Sequence, residues 1–495
     1  MVSNNLKQNI DFIATEIGNK SPVVIKNFYI GKSTSFLNCA IIYNNALIDK
    51  NILDRDVLNP LMLHVDIDLT TDEATPDFIC KKYIPMCSTS VENDVNKAIE
   101  GIKCGKTVIL IDKIKNFIIV DTTGGEYRSI SDSTNETAVR GPREAFVENL
   151  ETNLSILRRN IKDKNLVVES FVVGKRSQTS LSVIYIEDIA DKDIVNEVIE
   201  KINLIDVDFV TDTGMIGQYM EDSTYSIFPQ FYTTERPDVV EANLMEGRIA
   251  ILLNGTPYVI TVPALFIEFI QGVEDYYTRP LVASFGRLIR FIAIFIIITL
   301  PSLYLSIISF NVELIPTNFI NPIVQFRKGI ALPPFLEIIA MELMVEFLRE
   351  GGLRLPSKIA QTLSIVGGII IGNTAVQSKI VSPTTLLVIG VTVISTFLIP
   401  NYQMSLAIRL VRFPMLIFAN MAGFLGIAAG WYIILVHLYS LKSFGVPYLS
   451  FNKHDMEDTF IRYPLYTMKK RPETIPNDNP RRKGNFMKRM VKRNE

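Results

Sequence analysis

Histidine, tryptophan and cysteine are scarce in this chain of 495 residues, which has three His, one Trp and four Cys. The cysteines, Cys39, Cys80, Cys87 and Cys104, all lie in the first quarter of the chain and lack CxxC spacing. So few closely spaced Cys and His residues leave little material for a metal site, and we predict no metal and no cofactor. We interpret the cysteines as reduced, structural thiols of a cytoplasmic compartment.

An excess of one charge sign is also absent. The 50 Lys and Arg residues face 52 Asp and Glu residues, which gives a net charge of −2. This balance argues against a nucleic-acid-binding chain. The mean hydropathy is nevertheless +0.24 although 21% of the residues are charged. The combination predicts a charged soluble part joined to an apolar membrane part.

Long uncharged apolar runs are absent before residue 290, and the polar N-terminus does not have the pattern of a signal peptide. Four such runs then follow, at 291–312, 359–378, 380–408 and 413–441. Each reaches the roughly 20 residues that a membrane-spanning helix needs. A core helix of a soluble protein seldom stays uncharged for so long, because one face normally meets water. We therefore predict about four membrane spans.

Residues 1–290 alternate between β-rich runs and helical patterns. Helical spacing predicts one helix at 91–103 and another from Pro142 to about Lys162, and a polar stretch at 129–137 is typical of a linker. The predicted fold is an α/β cytoplasmic region of two subdomains, 1–137 and 138–287, followed by an all-α multi-span membrane domain, 288–442, and a basic cytoplasmic tail, 443–495. Short β-rich runs predict strands at 38–43, Thr107–Ile111, 117–121, Leu166–Val173, 181–186 and Ile249–Leu253.

Catalytic motifs are lacking as well. Gly101 and the triplet Gly105-Lys106-Thr107 approach the pattern of a phosphate loop, but Glu100 stands where that loop needs its first glycine. We interpret this segment as the end of a helix and a turn that lead into a strand. With no other nucleophile or metal motif in the sequence, we predict that the protein is not an enzyme.

Acidic residues recur in an otherwise apolar stretch at 335–350. Glu342, Glu346 and Glu350 are four residues apart, so a helix places them on one stripe. A carboxylate that faces lipid costs about 2.5 kcal/mol or more, so we predict an amphipathic or re-entrant helix that faces water, a partner or a pore. A solvated interfacial face and a ring of acids beside a cation path both fit the pattern. Arg349 and Arg354 are close enough in sequence to neutralise part of the stripe.

The next apolar run carries a narrow face of small and polar residues. Gln361, Ser364, Gly368 and Gly372 recur at steps of three and four, which places them along one side of a helix. The Gly368-x-x-x-Gly372 spacing is typical of close helix packing. Helix packing and pore lining are both open for this face, and in an oligomer one helix serves both.

The orientation in the membrane follows from charge. The tail at 469–495 has ten Lys or Arg and three Asp or Glu residues, and short basic segments stay on the cytoplasmic side. The large N-terminal half has no export signal and is expected on the same side. An even number of spans is then required, which four spans satisfy.

Seven segments of the sequence carry a family resemblance. They are VRGPREAFVEN at 139–149, YIEDIA at 185–190, TERPD at 234–238, EGR at 246–248, EDYY at 274–277, LREGGLRLP at 348–356 and LKSFGVPYL at 441–449. With these segments the chain resembles the A-subunit family of bacterial spore germinant receptors. A sporulation-operon paralogue of the same family is the close alternative, and the RGPRE and KSFGVP forms favour the receptor subunit. The candidate structural motif of the family comprises Arg140, Arg143, Glu144, Glu235, Arg236 and Asp238.

The resemblance implies a multi-subunit receptor in the inner membrane of the spore. The A subunit is expected to oligomerise as a nutrient-gated ion channel, beside a permease-like B subunit and a lipoprotein C subunit. A non-conducting scaffold that recruits germination partners is an alternative, and a transporter is disfavoured because four spans without an internal repeat are few for a carrier. We expect Arg140, Arg143 and Glu144 to act structurally, at the start of a helix that joins the two subdomains.

Overall fold

The computed structural model describes residues 6–17, 23–32, 35–45, 47–65, 76–103, 105–123, 136, 138–355, 368, 372–450, 452 and 455–482. These residues belong to two compact units. The first unit contains the described residues up to Glu221, together with Phe231–Pro263 and the described part of Lys470–Lys483. The second unit contains Asp222–Gln230 and the described part of Ala264–Lys469.

The first unit is organised by two five-stranded antiparallel sheets. The strands of the first sheet pair in the order β1-β2-β4-β5-β3. Strands β4 and β5 are buried along their whole length, and such strands read as continuous apolar runs because both faces of the sheet are covered. The five strands are β1 (Val23–Lys32), β2 (Ser35–Asn44), β3 (Thr89–Glu92), β4 (Thr107–Ile111) and β5 (Phe117–Val120).

Helices cover the two faces of this first sheet. Ile41 and Ile109 point to one face, where they pack with the helical segments that follow β2. Ile42 and Val108 point to the opposite face, as the alternation of strand side chains requires, and pack with the N-terminal helix and the helix before β4. The helices are α1 (Leu6–Ile17), α2 (Lys50–Ile52), a π-helical turn (Leu53–Leu58), α3 (Asn59–Leu63), α4 (Pro76–Tyr83) and α5 (Val95–Lys103).

The second sheet has its strands in the order β6-β7-β9-β10-β8. Its core packs α6 and α9 against the central strands. The described tail returns to this subdomain, where Arg471 Nε donates to the carbonyl oxygen of Met245 at 2.6 Å and Asn477 pairs with Ala190. The elements are α6 (Leu150–Asn160), β6 (Leu166–Val173), β7 (Thr179–Ile186), α7 (Lys192–Asn203), α8 (Thr213–Met220), β8 (Tyr232–Thr234), α9 (Pro237–Met245), β9 (Ile249–Leu253) and β10 (Val259–Val262).

The six predicted strands are confirmed, three of them at their bounds and three within a few residues. The interpretation of the Gly-Lys-Thr segment is also confirmed, since α5 ends at Lys103, Gly105 turns the chain at φ +84° and β4 follows. The helix predicted from 91 begins four residues later, because Thr89–Glu92 pairs with β5 as a strand.

The predicted start of this helix, at Pro142, is wrong. The helix begins at Leu150, where the Asn149 side chain caps it by accepting a hydrogen bond from the Thr152 amide at 3.0 Å. Residues before the cap are not helical, and the Phe146 amide donates to the carbonyl oxygen of Glu235 at 2.8 Å. A side-chain cap at Asn149 therefore outweighs the preference of proline for a first helical turn.

The second unit is mainly helical. Of its described helices, α11 and α16 are long and apolar enough to cross a membrane, by length and composition, and α15 is apolar but shorter. A short hairpin pairs Lys442–Ser443 with Val446–Pro447 after the last long helix. The α-helices are α10 (Glu274–Tyr277), α11 (Pro280–Ser309), α12 (Thr317–Arg327), α13 (Pro334–Leu353), α14 (Gly372–Gln377), α15 (Pro383–Thr396) and α16 (Tyr402–Ser440).

The four predicted apolar runs fall on these helices in different ways. The run at 291–312 lies mainly in α11, and most of the run at 359–378 lies outside the described residues. The run at 380–408 is divided between α15 and α16, because Pro400 precedes a new helix start at which Asn401 accepts from the Met404 amide at 3.0 Å. Helix α16 is itself interrupted at Gly423, whose φ and ψ are 58° and −131°. The count of four spans stays a prediction.

Candidate functional site

A cluster of buried and half-buried opposite charges joins α13 to α16. Arg412 Nη2 lies 2.8 Å from Glu342 Oε2, and the two side chains are only 1% and 0% exposed. Arg412 also lies 3.3 Å from Glu346, which Arg409 approaches at 3.0 Å. Arg349, on the same helix as the acids, lies 3.4 Å from Glu346. Three guanidinium groups therefore surround two carboxylates, and we refer to these five side chains as the charge cluster.

Helix geometry explains why these particular acids reach the arginines. Glu342 and Glu346 are one turn apart on α13, and Arg409 and Arg412 are three residues apart on α16, so each pair shares a helix face. Arg349 also donates to the Thr396 hydroxyl at 3.1 Å, which connects α13 with the end of α15. Paired charges of this kind make burial of an ionised group tolerable.

Our prediction of the site leaves out Arg409 and Arg412, although the sequence contains an indication of their role. Arg409 and Arg412 separate two of the predicted apolar runs, and we placed a boundary between runs there. The structure has continuous helix at these positions. Two arginines at i and i+3 inside a long apolar helix are themselves an indication of buried acidic partners.

Glu337 forms a second buried ionic contact near the start of α13. Its side chain is 0% exposed and accepts from Arg327 Nη1 at 3.1 Å and from the Ser382 amide at 2.6 Å. Ser382 in turn caps α15 by accepting from the Thr385 amide at 3.2 Å. One carboxylate thus connects α12, α13 and the start of α15, a role that the spacing of the acids did not predict.

The other predicted pore residues are placed differently. Glu350 pairs with Arg354 at 2.6 Å, but both side chains are largely exposed, and such surface pairs contribute little to stability. Gly368 is exposed, and Gly372 is buried at the start of α14. Gln361 and Ser364 lie outside the described residues. Each acid of the stripe therefore has a cationic partner in the same chain, and a role for these residues in lining an ion path stays a prediction.

A third ionic group fixes the start of α11. Arg290 forms two hydrogen bonds with the Asp275 carboxylate, at 2.7 and 2.8 Å, and Arg287 Nε lies 3.1 Å from the same group. Arg287 also lies 2.8 Å from Asp458, to which the Tyr276 hydroxyl donates at 2.8 Å. The structure buries Asp275 at 3% exposure, inside this ionic group.

In the first unit, the family motif is centred on a buried arginine. Arg236 is 1% exposed, and its guanidinium donates to both carboxylate oxygens of Asp238, at 3.0 and 2.8 Å. The same group donates to the carbonyl oxygens of Pro142 at 2.9 Å and of Glu136 at 3.1 Å. One side chain thus attaches the extended segment before α6 to the start of α9.

The remaining motif residues divide into paired and exposed groups. Glu144 forms an ion pair with Arg159 of α6, and Glu235 accepts a hydrogen bond from the Glu136 amide at 3.0 Å. Arg140 and Arg143 are exposed and form no hydrogen bond or ion pair among the described residues. The motif residues lie in the first unit and the charge cluster lies in the second, so the sequence-predicted residues do not form one site.

Comparisons with known proteins find one family along most of the chain. The family model described as "Bacillus/Clostridium GerA spore germination protein" matches residues 11–474. Spore germination protein KA of Bacillus subtilis (strain 168) is 37% identical over 98% of this chain and 89% of that protein. The uncharacterized membrane protein YfkQ of the same organism is 34% identical over 97% of this chain and 93% of that protein.

A solved structure is also similar. It is the crystal structure of the N-terminal domain of the A subunit of the Bacillus megaterium spore germinant receptor GerK3, 33% identical, with a TM-score of 0.42. The match covers 54% of this chain and 97% of that domain. From the family match and the identity along nearly the whole chain, the protein belongs to the GerA family of spore germination proteins, the A-subunit family of spore germinant receptors.

Proposed function

We propose that the protein is the membrane subunit of a spore germinant receptor complex and that it oligomerises as a nutrient-gated ion channel. Its family supports the role in germination, and the apolar helices α11 and α16 support the membrane part. The observation that carries the channel proposal is the charge cluster. Ionisable groups buried within an apolar helix are costly, and in membrane proteins they mark ion or proton paths.

The charge cluster is suited to a gate as well as to a path. Glu346 is shared among Arg349, Arg409 and Arg412 at 3.0–3.4 Å. An acid with three nearby cations can exchange one partner for another when helices shift, so two arrangements of α13 against α16 differ little in charge pairing. Opening then requires a change of partners and leaves no carboxylate unpaired.

Contacts of the described tail support the proposed orientation. Arg471 binds the carbonyl oxygen of Met245, and Asn477 pairs with Ala190. Chain segments in contact lie on the same side of a membrane, so the chain between Met245 and Arg471 crosses an even number of times. The basic tail then places both on the cytoplasmic side, which is the core side of the inner membrane of the spore.

The proposed partners follow from the family. An A subunit of a receptor implies further subunits, and we propose a permease-like B subunit that binds the nutrient and a lipoprotein C subunit. The exposed arginines Arg140 and Arg143 lie on a family segment without using their charge inside the described chain, which suits a surface for another subunit. Copies of the chain itself are the partners that a pore requires.

A non-conducting scaffold is the second candidate, and one observation favours it. Glu342, Glu346 and Glu350 each have an arginine partner within the chain, and locally neutralised acids attract cations less strongly than free ones. Reconstitution separates the two functions. A channel subunit in liposomes conducts cations, and a scaffold assembles in them without conducting.

A further inference from the structure

A short loop between α8 and β8 belongs to the second unit, although the elements on both sides of it belong to the first. The loop is Asp222–Gln230, and we refer to it as the 222–230 loop. The sequence placed it within the second α/β subdomain, 138–287, and none of the sites described above uses it. Its contacts with the second unit therefore need an explanation of their own.

Hydrogen bonds give the 222–230 loop a fixed shape. The carboxamide of Gln230 accepts from the Ser223 amide at 3.0 Å and donates to the Ser223 carbonyl oxygen at 2.6 Å. The Ser226 amide donates to the same carbonyl oxygen at 3.1 Å, and the Ser226 hydroxyl accepts from the Phe228 amide at 3.2 Å. These bonds close the base of the loop, as in a compact surface loop whose ends meet, so its tip is held in one arrangement.

The 222–230 loop is attached to the end of α16. Phe228 is 4% exposed, and its ring centroid lies 6.0 Å from that of His437. The Ser226 hydroxyl lies 3.1 Å from His437 Nε2. Just after α16, the Ser443 hydroxyl donates to the carbonyl oxygen of Gln230 at 2.6 Å. The last turn of α16 therefore sets the position of the loop.

Helices α11 and α16 run antiparallel, so the end of α16 lies beside the first apolar turns of α11. Trp431 stacks on Phe295 with ring centroids 5.7 Å apart, and its Nε1 donates to the Thr299 hydroxyl at 2.9 Å. Earlier in α16, a Cβ added at Gly423 would lie 3.2 Å from the side chain of Phe310, which is later in α11. The end of α16 thus lies on the side at which the apolar part of α11 begins.

His437 lies level with the boundary of the apolar region. It follows Trp431 by six residues, which is about 9 Å along a helix. Arg290, the last charged residue before the apolar part of α11, precedes Phe295 by five residues, or about 7.5 Å. Lys442 follows directly after α16. The loop is therefore attached where both helices change from uncharged to charged sequence, which is the position of a membrane–water interface.

The tip of the 222–230 loop is exposed, apolar and uncharged. Tyr225 is 99% exposed and Ile227 is 43% exposed, and no residue from 223 to 229 carries a charge. Single exposed apolar side chains are common on soluble proteins, so exposure alone decides nothing. The turns of α16 that hold the loop also expose Tyr432 and Tyr439, at 70% and 59%. Tyrosines gathered at the end of an apolar helix are typical of an interfacial aromatic belt.

We propose that the 222–230 loop inserts its tip, Tyr225 and Ile227, into the headgroup region of the lipid bilayer at the end of α16. This inference rests on the membrane part of the proposed function. A tyrosine suits that region because its ring is apolar and its hydroxyl is polar. The uncharged tip requires no anionic lipid, so a zwitterionic bilayer is sufficient. Through this loop, the chain of the α/β half meets the bilayer at a point other than the start of α11.

The single tryptophan of the chain allows the depth of the loop to be measured in vesicles of brominated phosphatidylcholine. The bromine atoms lie either near the headgroup end of the acyl chain or near its methyl end, and they quench nearby tryptophan fluorescence. In the full chain with Tyr225→Trp/Trp431→Phe, the loop holds the only tryptophan. The shallow bromines should quench it about twofold more than the deep ones, because interfacial rings lie at the headgroup level. In the wild type, Trp431 lies about 9 Å further into the helix, and the deep bromines should be the more effective.

The matched control is Tyr29→Trp/Trp431→Phe. Tyr29 is also exposed, at 63%, but it belongs to β1 in the region predicted to be cytoplasmic. Neither lipid should quench the tryptophan of this control. If Trp431→Phe does not fold, Tyr225→Trp alone provides the test. Its ratio of shallow to deep quenching should then exceed that of the wild type.

The wild type tests the membrane placement separately from the loop. Quenching of Trp431 without quenching of the loop tryptophan would overturn the inference and leave the membrane part of the proposed function in place. Quenching of neither would overturn both. A loop tryptophan shielded from brominated lipid and also from acrylamide in the water would show that protein covers the tip, either a second copy or another subunit, and this result too would overturn the inference.

Discussion

Arg412 and Glu342 form an ion pair whose side chains are both buried, with Nη2 and Oε2 2.8 Å apart. The residues are 70 positions apart in sequence and belong to different helices, so the pair fixes how α13 packs on α16. Loss of one partner leaves the other as an uncompensated charge, which is the costly case for a buried pair.

Arg412→Met should therefore destabilise the second unit by about 3–5 kcal/mol. The free energy of unfolding in detergent, or the amount of folded chain in the membrane, measures this effect. In the double variant Glu342→Gln/Arg412→Met much of the loss should be recovered, because no buried charge of that pair remains. Equal stability of Arg412→Met and the wild type would show that the pair does not hold the two helices together.

Arg236 provides the corresponding test in the first unit. Arg236→Met should also cost about 3–5 kcal/mol, because it removes the buried guanidinium that donates to the Asp238 carboxylate and to two carbonyl oxygens. Arg143→Gln is the control, since it removes the same charge from an exposed position and should change stability by no more than about 0.5 kcal/mol. The sensitivity of each full-length variant to a protease measures this difference in stability. Equal sensitivity of the two variants would refute a structural role for Arg236.

The stability of the region around Arg236 should depend on pH through Glu136. Burial raises the pKa of Glu136 from 4.5 to about 7, and the Thr234 hydroxyl, which donates to it at 2.5 Å, opposes this shift. An acid with a higher pKa in the folded chain than in the unfolded chain binds protons on folding. The stability that it contributes is thus full below about pH 4.5 and is lost as the pH rises toward 7.

Hydrogen exchange of Pro237–Met245 measures this dependence after correction for the intrinsic effect of pH. Protection of this helix should fall between pH 5 and pH 7 by about tenfold per pH unit at most, because one proton is involved. In Glu136→Gln the fall should be smaller, since the titrating group is gone. Protection that rises with pH in the wild type would contradict the assigned direction.

Substitution of Gly368 tests whether the predicted small and polar face meets another subunit. A Cβ added at Gly368 meets nothing within 4 Å among the described residues, and the same is true of Gly390 on α15. Gly368→Leu should therefore leave the single chain folded but weaken the oligomer, because close helix approach excludes a large side chain. Cross-linking in membranes measures assembly, with Gly390→Leu as the control. Normal oligomers of Gly368→Leu would place the subunit contact elsewhere.

Much of the fold could be predicted from the sequence because its signals are local. Thr107–Ile111 and Ile249–Leu253 are buried on both faces, so each is a short uninterrupted apolar run. Val23–Lys32 was not predicted, because this edge strand carries exposed and charged residues such as Lys26 among its apolar ones. The start of α6 was misplaced because Pro142 and Asn149 are both valid helix starts, and the first segment is held extended by tertiary contacts, such as that of Arg236 with the carbonyl oxygen of Pro142.

Of the candidate site, the acids could be predicted from the sequence and their arginine partners could not. The four-residue spacing of Glu342 and Glu346 placed both acids on one helix face and excluded a lipid environment. Their partners could not be found from spacing, since Arg409 and Arg412 lie more than 60 residues further along the chain and meet the acids only through tertiary packing. For the same reason, Asp458 could not be predicted as the partner of Arg287, because the two residues are 171 positions apart.

We propose that oligomers of this chain form a cation path beside the charge cluster. Cation flux from liposomes that contain the purified full chain tests it most directly. Wild-type protein should release cations faster than protein-free liposomes, and Glu346→Gln should reduce that release while oligomers still form, because the excess of the three arginines over the acids of the cluster then becomes larger and repels cations more strongly. Glu350→Gln, which alters an exposed pair, should have a smaller effect. Wild-type oligomers that release no more cations than protein-free liposomes would contradict the channel and leave the scaffold.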